Sequence, residues 1–421
     1  MNRTHMPEIS ERVENLIERA EADCAEAFRR IEANEIYNTR RVIASFQKHR
    51  VSQRHFAPTT GYGYDDIGRD TLGGLIADAL GTEAALARPQ IASGTHALAL
   101  CHYGILRPGD VLLSGAGKPY DTMEEIIGLT GESGSGSLKD FGIGYRQVEL
   151  RSGQIDIPAI LEALTPEVRL VLLQRSRGYD WRPSLSVEEI NAAIDAIHAK
   201  KPDVCVMVDN CYGEFTGRGE PHADLMAGSL IKNPGGGIAP TGGYIAGKKK
   251  FVDLAAYRLT SPGIGAEVGS YAGSYQPFYQ GLFMAPHTVA QALKSAVLAA
   301  RVFELLGFDV NPAFDAPRND IIEAIRFNSP EKLIRFIQCI QLASPVDAEA
   351  LPEPWEMPGY QDPVIMAAGT FVSGASVEMS ADAPVRAPYI AYLQGALTYA
   401  HGRLGVACAV QVMTEEGLIE L

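Results

Sequence analysis

Three features of the sequence predict an α/β fold with a largely parallel sheet and a second, smaller domain. From Gly61 onward, helical patterns alternate with short runs rich in β-branched residues, the order that builds parallel sheets covered on both faces. The run Val-Cys-Val-Met-Val-Asp over Val204–Asp209 is apolar without alternation, as a central buried strand requires. The chain has 421 residues, more than one ordinary core accommodates.

Taken in order, Ser10 ahead of Glu11, Val13, Leu16 and Ile17 reads as the cap of an amphipathic helix continuing towards Ile31, and a second helix is expected over Asn38–His49. This arm, residues 1–55, is thin for a domain and is expected to pack on a partner subunit or on the main body. Residues 56–285 are expected to form a large domain. Its strands fall at Asp110–Ser114, Tyr145–Leu150, Val168–Gln174, Val204–Asp209 and Gly243–Ala246. Its helices fall at Thr95–Gly104, Thr122–Gly128, Ile157–Leu164 and Val187–Lys200. Residues 286–421 are expected to open with a long linking helix, Pro286–Leu306, and to continue as a small α+β domain. That domain would hold helices near Ile321–Phe327 and at Pro330–Leu342, with a strand over Gly369–Glu378. Pro345–Pro363, with five prolines, reads as a loop.

Composition narrows the function. Lys and Arg number 37 against 51 Asp and Glu, a net charge of −14 that argues against nucleic acid or an anionic membrane as the partner. No run of about 18 apolar residues is present, so no membrane span is expected. The beginning MNRTHMPEIS is polar, and the six cysteines form no CxxC pair. The nine histidines form no HxxxH or HExxH pattern, so no metal site is expected. A cytoplasmic enzyme is the class that remains.

Four local features carry chemistry. Ser229-Leu-Ile-Lys232 runs directly into Asn-Pro-Gly-Gly-Gly, which leaves a lone lysine in small surroundings. Burial would drive such an amine towards its neutral, nucleophilic form, suited to a Schiff base; a surface lysine at a turn is the bland alternative. Asp209 ends the buried strand, at the edge where ligands of such sheets gather, and could hold a proton on a heteroaromatic nitrogen or merely cap the turn. Ile91-Ala-Ser-Gly-Thr-His-Ala opens a helix, whose free N–H groups suit a phosphate. Gly117-Lys-Pro-Tyr-Asp-Thr places Tyr120 either to stack on a ring or to pack a loop. Lys248-Lys249-Lys250 reads as a solvated turn and Cys211 as a packing residue.

The order of these features, with Lys232 following Asp209 by 23 residues, resembles the aspartate-aminotransferase-like pyridoxal-phosphate enzymes of fold type I. Within that group the chain resembles the cysteine/methionine-metabolism lyases, and in particular the aluminium-resistance or methionine gamma-lyase-like family. The resemblance is carried by GYGYDDIGRD (61–70), RPQIASGTHA (88–97), PYDT (119–122), VDNCYGEF (208–215) and SLIKNPGGG (229–237), and extends from about Ile36 onward. It implies a large doubly wound domain with a smaller C-terminal α+β domain, and pyridoxal 5'-phosphate as cofactor.

Site roles follow from the same resemblance. Lys232 would bond the cofactor and shuttle the substrate's Cα proton, Asp209 would pair with the pyridine nitrogen, and Tyr120 would stack on the ring and serve as an acid. Ser93, Gly94, Thr95 and Ser229 would hold the phosphate. Related lyases bring a Tyr-x-Arg pair to the phosphate from a neighbouring subunit; here Tyr62 and Tyr64 stand in the equivalent stretch without that arginine, and Arg69 is a candidate substitute. A shared site implies a homodimer or homotetramer. Arg386 is the candidate for the substrate carboxylate, with a salt bridge to Asp382 as its bland alternative; Arg175 and Arg177 are further candidates. The expected activity is carbon–sulfur β- or γ-elimination on a small sulfur amino acid. An aminotransferase, aldolase or β-decarboxylase, or a cofactor-binding protein with little turnover, are the rivals.

Overall fold

The computed structural model describes residues 5–357, 360 and 362–421. Helix α1 (Glu11–Lys48) opens the chain, followed by α2 (Ile67–Leu80) and β1 (Ala84–Arg88). Then come α3 (Gly94–Ile105), β2 (Val111–Ser114), α4 (Asp121–Ile127), β3 (Gly144–Gln147), α5 (Ile157–Ala163) and β4 (Val168–Gln174). Next are α6 (Val187–Lys200), β5 (Cys205–Asp209), β6 (Leu225–Ser229), β7 (Gly243–Gly247) and α7 (Lys249–Leu259). The long α8 (Gln276–Leu305) leads to β8 (Asp309–Asn311), β9 (Ile322–Arg326), α9 (Pro330–Leu342), β10 (Val364–Ala367), β11 (Ser380–Pro384), β12 (Ile390–Gln394) and α10 (Tyr399–Glu415).

The strands form two sheets. The larger has the order β1-β7-β6-β5-β4-β2-β3. Its β3, β2, β4, β5 and β6 run parallel, and β7 is antiparallel to both neighbours. Central strands β4 and β5 are almost wholly apolar because helices cover both faces. The smaller sheet is antiparallel throughout, in the order β10-β11-β12-β9-β8. This is the mixed architecture expected of the fold type I enzymes.

Several local expectations change. The expected break in the first helix is absent: α1 runs unbroken for 38 residues. Asn38, where the second helix is expected to begin, is buried, and its Nδ2 donates to the carbonyls of Phe215 (3.3 Å) and Gly217 (2.8 Å). Nor does Ser10 cap the helix with its side chain, since its Oγ donates to Gln411 at 2.8 Å. The arm joins the main body. Val13 and Ile17 pack with Leu298 and Phe303, while Cys24 and Ile31 share a core with Leu293 and Val297. Helices α1 and α8 thus run side by side along both cores.

Pro286 lies inside α8, which starts ten residues earlier with Pro277 in its first turn. Ile321–Phe327 is mostly strand β9 rather than helix, and Gly369–Glu378 is an irregular loop rather than a strand. In that loop the Glu378 carboxylate accepts from the amides of Phe371 and Val372, replacing the bonds of a ladder. Lys248 stands at the N-cap of α7 and pairs with Asp224 at 2.6 Å, so the lysine run opens a helix.

The Asn38 contact ties α1 to the loop that follows β5. Asn38→Ala would strand two carbonyls and is expected to cost about 1–3 kcal/mol of unfolding free energy. Urea denaturation checks this, and a change below about 0.5 kcal/mol would show that the clamp does not hold the arm.

Candidate active site

The parallel strands of the large sheet end along one edge, and the candidate residues collect there. Ladder register sets Gln174, the last residue of β4, beside Asp209, the last of β5, and Asp209 beside Ala227 of β6. Ser229 closes β6 two residues further on. Lys232 follows, its backbone leading into the tight turn Asn233–Gly235. A Cβ on Gly235 would stand 1.8 Å from the Leu230 carbonyl, so only glycine permits that turn.

A cavity of about 260 Å³ lies on this edge. It is lined by Ser93, Gly94 and Thr95 from the start of α3, by Tyr120, and by Asp209, Ser229 and Lys232. All seven of these expected residues therefore come together. Ser93 caps α3, its Oγ accepting from the His96 amide at 3.0 Å. That leaves the amides of Gly94 and Thr95 at the helix start to suit an anion. A Cβ on Gly94 would stand 3.2 Å from Cys211 Sγ and 3.5 Å from Ser229 Cβ, so a side chain there would crowd the cradle.

The electrostatics are set by burial. Burial raises the Asp209 carboxyl above its ordinary range, opposed by the Cys211 amide, which donates to Oδ1 at 3.1 Å, and by the charge of Lys232. Burial also disfavours the Lys232 ammonium. The Tyr212 oxygen, Cys211 sulfur and Asp209 carboxylate outweigh that effect and hold the free side chain protonated, above its usual range. Burial alone therefore does not neutralise this amine, contrary to the expectation from sequence. Lys232 Nζ sits 3.9 Å from the centre of the Tyr212 ring. Tyr120 is likewise pushed up by burial and stays a proton donor; its hydroxyl lies 2.8 Å from that of Tyr360.

Other expected residues stand apart from this cavity. Tyr62 and Tyr64 are 72% and 65% exposed on the loop before α2, outside the lining residues. Arg69 anchors that loop, donating to the Gly63 carbonyl at 2.8 Å and pairing with Asp70. Arg386 is half-exposed and pairs with Asp362 at 2.8 Å, not with Asp382. It lines an outer cleft of about 570 Å³ that adjoins the inner cavity through Tyr120, Gln174 and Gly178. Arg175 is buried and committed to Glu220 (2.6 Å) and Asn210 (2.8 Å). Arg177 lines the outer cleft near Asp320, 3.7 Å away.

Sequence reasoning missed Gln174, Ser176, Tyr212 and Gly374 in the lining. Gln174 ends a buried parallel strand, so the rule that pointed to Asp209 applies to it equally. Tyr212 carries a left-handed φ of 71°, a conformation its neighbours impose and composition does not announce. Gly374 lies in the loop misread as a strand. Among the described residues no group of three or more His, Cys, Asp or Glu is placed to hold a metal, and no helix is long and apolar enough to cross a membrane.

The constellation matches known proteins. The family model for methionine gamma-lyase matches residues 13–414. An uncharacterised protein of Bacillus subtilis, YnbB, is 53% identical over 403 residues, 95% of this chain and 96% of that one. A crystal structure of a carbon–sulfur lyase involved in aluminium resistance from Clostridium novyi superposes with a TM-score of 0.93 at 47% identity, covering 96% of each chain. The pyridoxal-5'-phosphate-dependent protein YhfS of Escherichia coli shares the fold at a TM-score of 0.61 and 15% identity, covering 91% of this chain and 97% of its own. With a helix-start anion cradle, a buried aspartate and a buried lysine around one cavity, and a family match over nearly the whole length, this chain belongs to the methionine gamma-lyase family.

Proposed function

We propose that this chain is a pyridoxal-phosphate-dependent carbon–sulfur lyase that cleaves a sulfur amino acid by β- or γ-elimination. The observation that carries the reading is the convergence of Lys232, Asp209 and the Ser93–Thr95 helix start on one buried cavity. These residues fit the cofactor: Gly94 leaves the cradle open, the α3 amides and the Ser229 hydroxyl suit a phosphate, and Asp209 suits a protonated ring nitrogen. When bound, pyridoxal phosphate supplies an electron sink for the pair left at the substrate's Cα.

The chain's own groups would do the rest. Lys232 Nζ, in its neutral form, would take the proton from the substrate's Cα, since among the described residues it is the one basic side chain lining the inner cavity. Asp209 keeps a proton on the ring nitrogen, because its buried negative charge favours a cation opposite it. Tyr120, held protonated by burial, gives its proton to the departing sulfur and regains it through Tyr360, whose hydroxyl is in contact with its own. The Cα–H and C–S bonds break, with a Cβ–H bond as well where the sulfur stands on Cγ; thiol leaves with a proton, and reprotonation of the carbon skeleton and one water give oxo acid and ammonia. Arg386 in the outer cleft is proposed for the substrate carboxylate, with Arg177 beside the same cleft. Exposed Tyr62 and Tyr64 are proposed to serve a neighbouring subunit's cavity in a homo-oligomer.

Borohydride reduction followed by peptide mapping tests the lysine. The wild-type protein is expected to be yellow, to bleach, and to carry its label on Lys232, whereas Lys232→Ala should lack the visible band. An unchanged yellow variant would remove the lysine from this role. Thiol and oxo-acid release from cystathionine, cysteine, homocysteine and methionine then tests the reaction, and product formation only in the presence of an acceptor oxo acid would point to a transaminase instead.

Asp209→Ala is expected to lower turnover by more than about 100-fold, because the ring nitrogen loses the charge that keeps it protonated. Near-normal rates would reduce Asp209 to a cap. Tyr120→Phe is expected to lower kcat by about 10- to 100-fold for substrates with basic thiolates, and much less where the thiol is acidic, since an acidic thiol leaves without a proton.

A further inference from the structure

Lys232 must shed a proton before it can bond a carbonyl or act as a base, yet its surroundings hold it as an ammonium. Burial disfavours that charge, and three side chains outweigh the effect. Tyr212 acts first, through its oxygen and a hydrogen bond, followed by Cys211 and Asp209. The three differ in where a proton would go next. Asp209 takes the Cys211 amide and, in the proposed reaction, serves the ring nitrogen. Cys211 is buried, and burial with the neighbouring Asp209 pushes its thiol up, so it keeps its proton. Tyr212 leads outward: its hydroxyl lies 3.0 Å from Ser376 Oγ, and either oxygen can donate. Ser376 is only half-buried, with the Gly374 carbonyl 3.4 Å away on its exposed side.

The tyrosine is held in place from several directions. Its ring lies 3.9 Å from Lys232 Nζ on one side and packs against Ile322, Ala324 and Tyr392 on the other. The Gly213 amide donates to the Asn210 carbonyl at 3.0 Å and closes a turn in which Tyr212 takes its left-handed φ of 71°. A tyrosine in that region is strained, and such strain persists where the surroundings fix the residue. A phenylalanine would serve the apolar packing; the hydroxyl serves the lysine and Ser376.

We propose that Tyr212 is a further catalytic residue, the proton path of Lys232, which carries the lysine's proton through Ser376 to water. The proposal rests on reading Lys232 as the base of the proposed reaction. An N–H bond at Nζ breaks as an O–H bond forms at Tyr212, whose own proton moves to Ser376 Oγ, whose proton moves to water. One proton crosses from lysine to solvent, both hydroxyls end neutral, and nothing is oxidised or reduced. The path lets the amine reach its neutral form and lets a proton taken from Cα exchange with solvent.

Tyr212→Phe keeps the ring beside the lysine and removes its hydroxyl, and Ser376→Ala removes the next one. In protein stripped of cofactor, reductive methylation at one alkaline pH, followed by peptide mapping, reads the uncharged Lys232 without turnover. Tyr212→Phe is expected to be methylated at Lys232 at least about threefold faster than wild type, because the oxygen that favours the charged form is gone. An unchanged rate would overturn the contact and the proposal with it. In the cofactor-loaded protein, loss of deuterium from Cα-deuterated L-norleucine to water reads the proton's exit with no C–S bond involved. Both variants are expected to slow this loss by about 10-fold or more, with calorimetric affinity for L-norleucine within about twofold of wild type. Imidazole in the buffer should restore the rate in Ser376→Ala, and Ser376→Thr should keep it. Wild-type exchange in either variant, or a deficit that imidazole does not restore and Ser376→Thr shares, would overturn the proposal. The underlying reading is judged separately. Absence of exchange in the wild type removes Lys232 as the base and the proposal with it, whereas exchange without thiol release from cystathionine or methionine keeps the path and discards the lyase.

Discussion

Two opposite charges buried beside one cavity, the Lys232 ammonium and the Asp209 carboxylate, are the constraint on which the rest of the structure depends. Each lowers the cost of burying the other. Other partners assist, Tyr212 and Cys211 facing the lysine and the Cys211 amide the aspartate, so the backbone that carries them matters too. Behind Asp209 a buried network holds it. Arg175 binds Asn210 and Glu220, Asn210 returns a bond to Glu220 at 3.1 Å, and Glu220 accepts from the Phe215 amide. Next to it Glu214 is buried, its carboxyl pushed up to about 8, with Tyr244 donating to it at 2.7 Å. Such buried ion pairs contribute little net stability, and these bind the loop from Asp209 to Phe215 at Asn210 and at the Phe215 amide.

That loop links the two sheets. Tyr212 packs under Lys232 on one side and against Ile322, Ala324 and Tyr392 of the small sheet on the other. Any shift of the small sheet is thereby transmitted to the ring beside the lysine. Helices α1 and α8 oppose such shifts, because both run through the cores of the large and the small sheet. The outer cleft is bounded by both parts of the chain, with Lys118 and Tyr179 from one and Arg386 from the other. Access to the inner cavity is therefore set by the seam between the sheets and not by either sheet alone.

What the sequence disclosed follows the range of the forces involved. Strand Val168–Gln174 and helices Val187–Lys200 and Pro330–Leu342 fall at the predicted bounds, because their signals are local. Ser186 and Ser329 cap with their own side chains, and the strand is apolar through its buried length. Lys232, Asp209, Gly94 and Tyr120 were readable for the same reason: each sits in a short motif at a strand end or helix start. The errors occur where a distant residue decides. Asn38 is consumed by carbonyls nearly 180 residues away, and Ile322–Arg326 becomes a strand because β12 pairs with it. In that segment Glu323 is fully buried against Arg318, a pairing that no helical period reveals.

This division has a chemical counterpart. The residues that would hold the cofactor lie on short motifs of the large sheet, and the electronics they support would serve elimination, transamination or aldol cleavage alike. The choice among those reactions would come from groups that see the substrate, and the outer cleft and the face that β9 and β12 turn towards Tyr179 and Tyr212 are where such groups would lie. Those are the long-range pairings and irregular turns that periodicity does not reach. Cofactor class was thus within reach of the sequence while substrate choice was not. One is written in contiguous residues, and the other would lie in how Tyr179, Tyr212 and Tyr392 meet across two sheets.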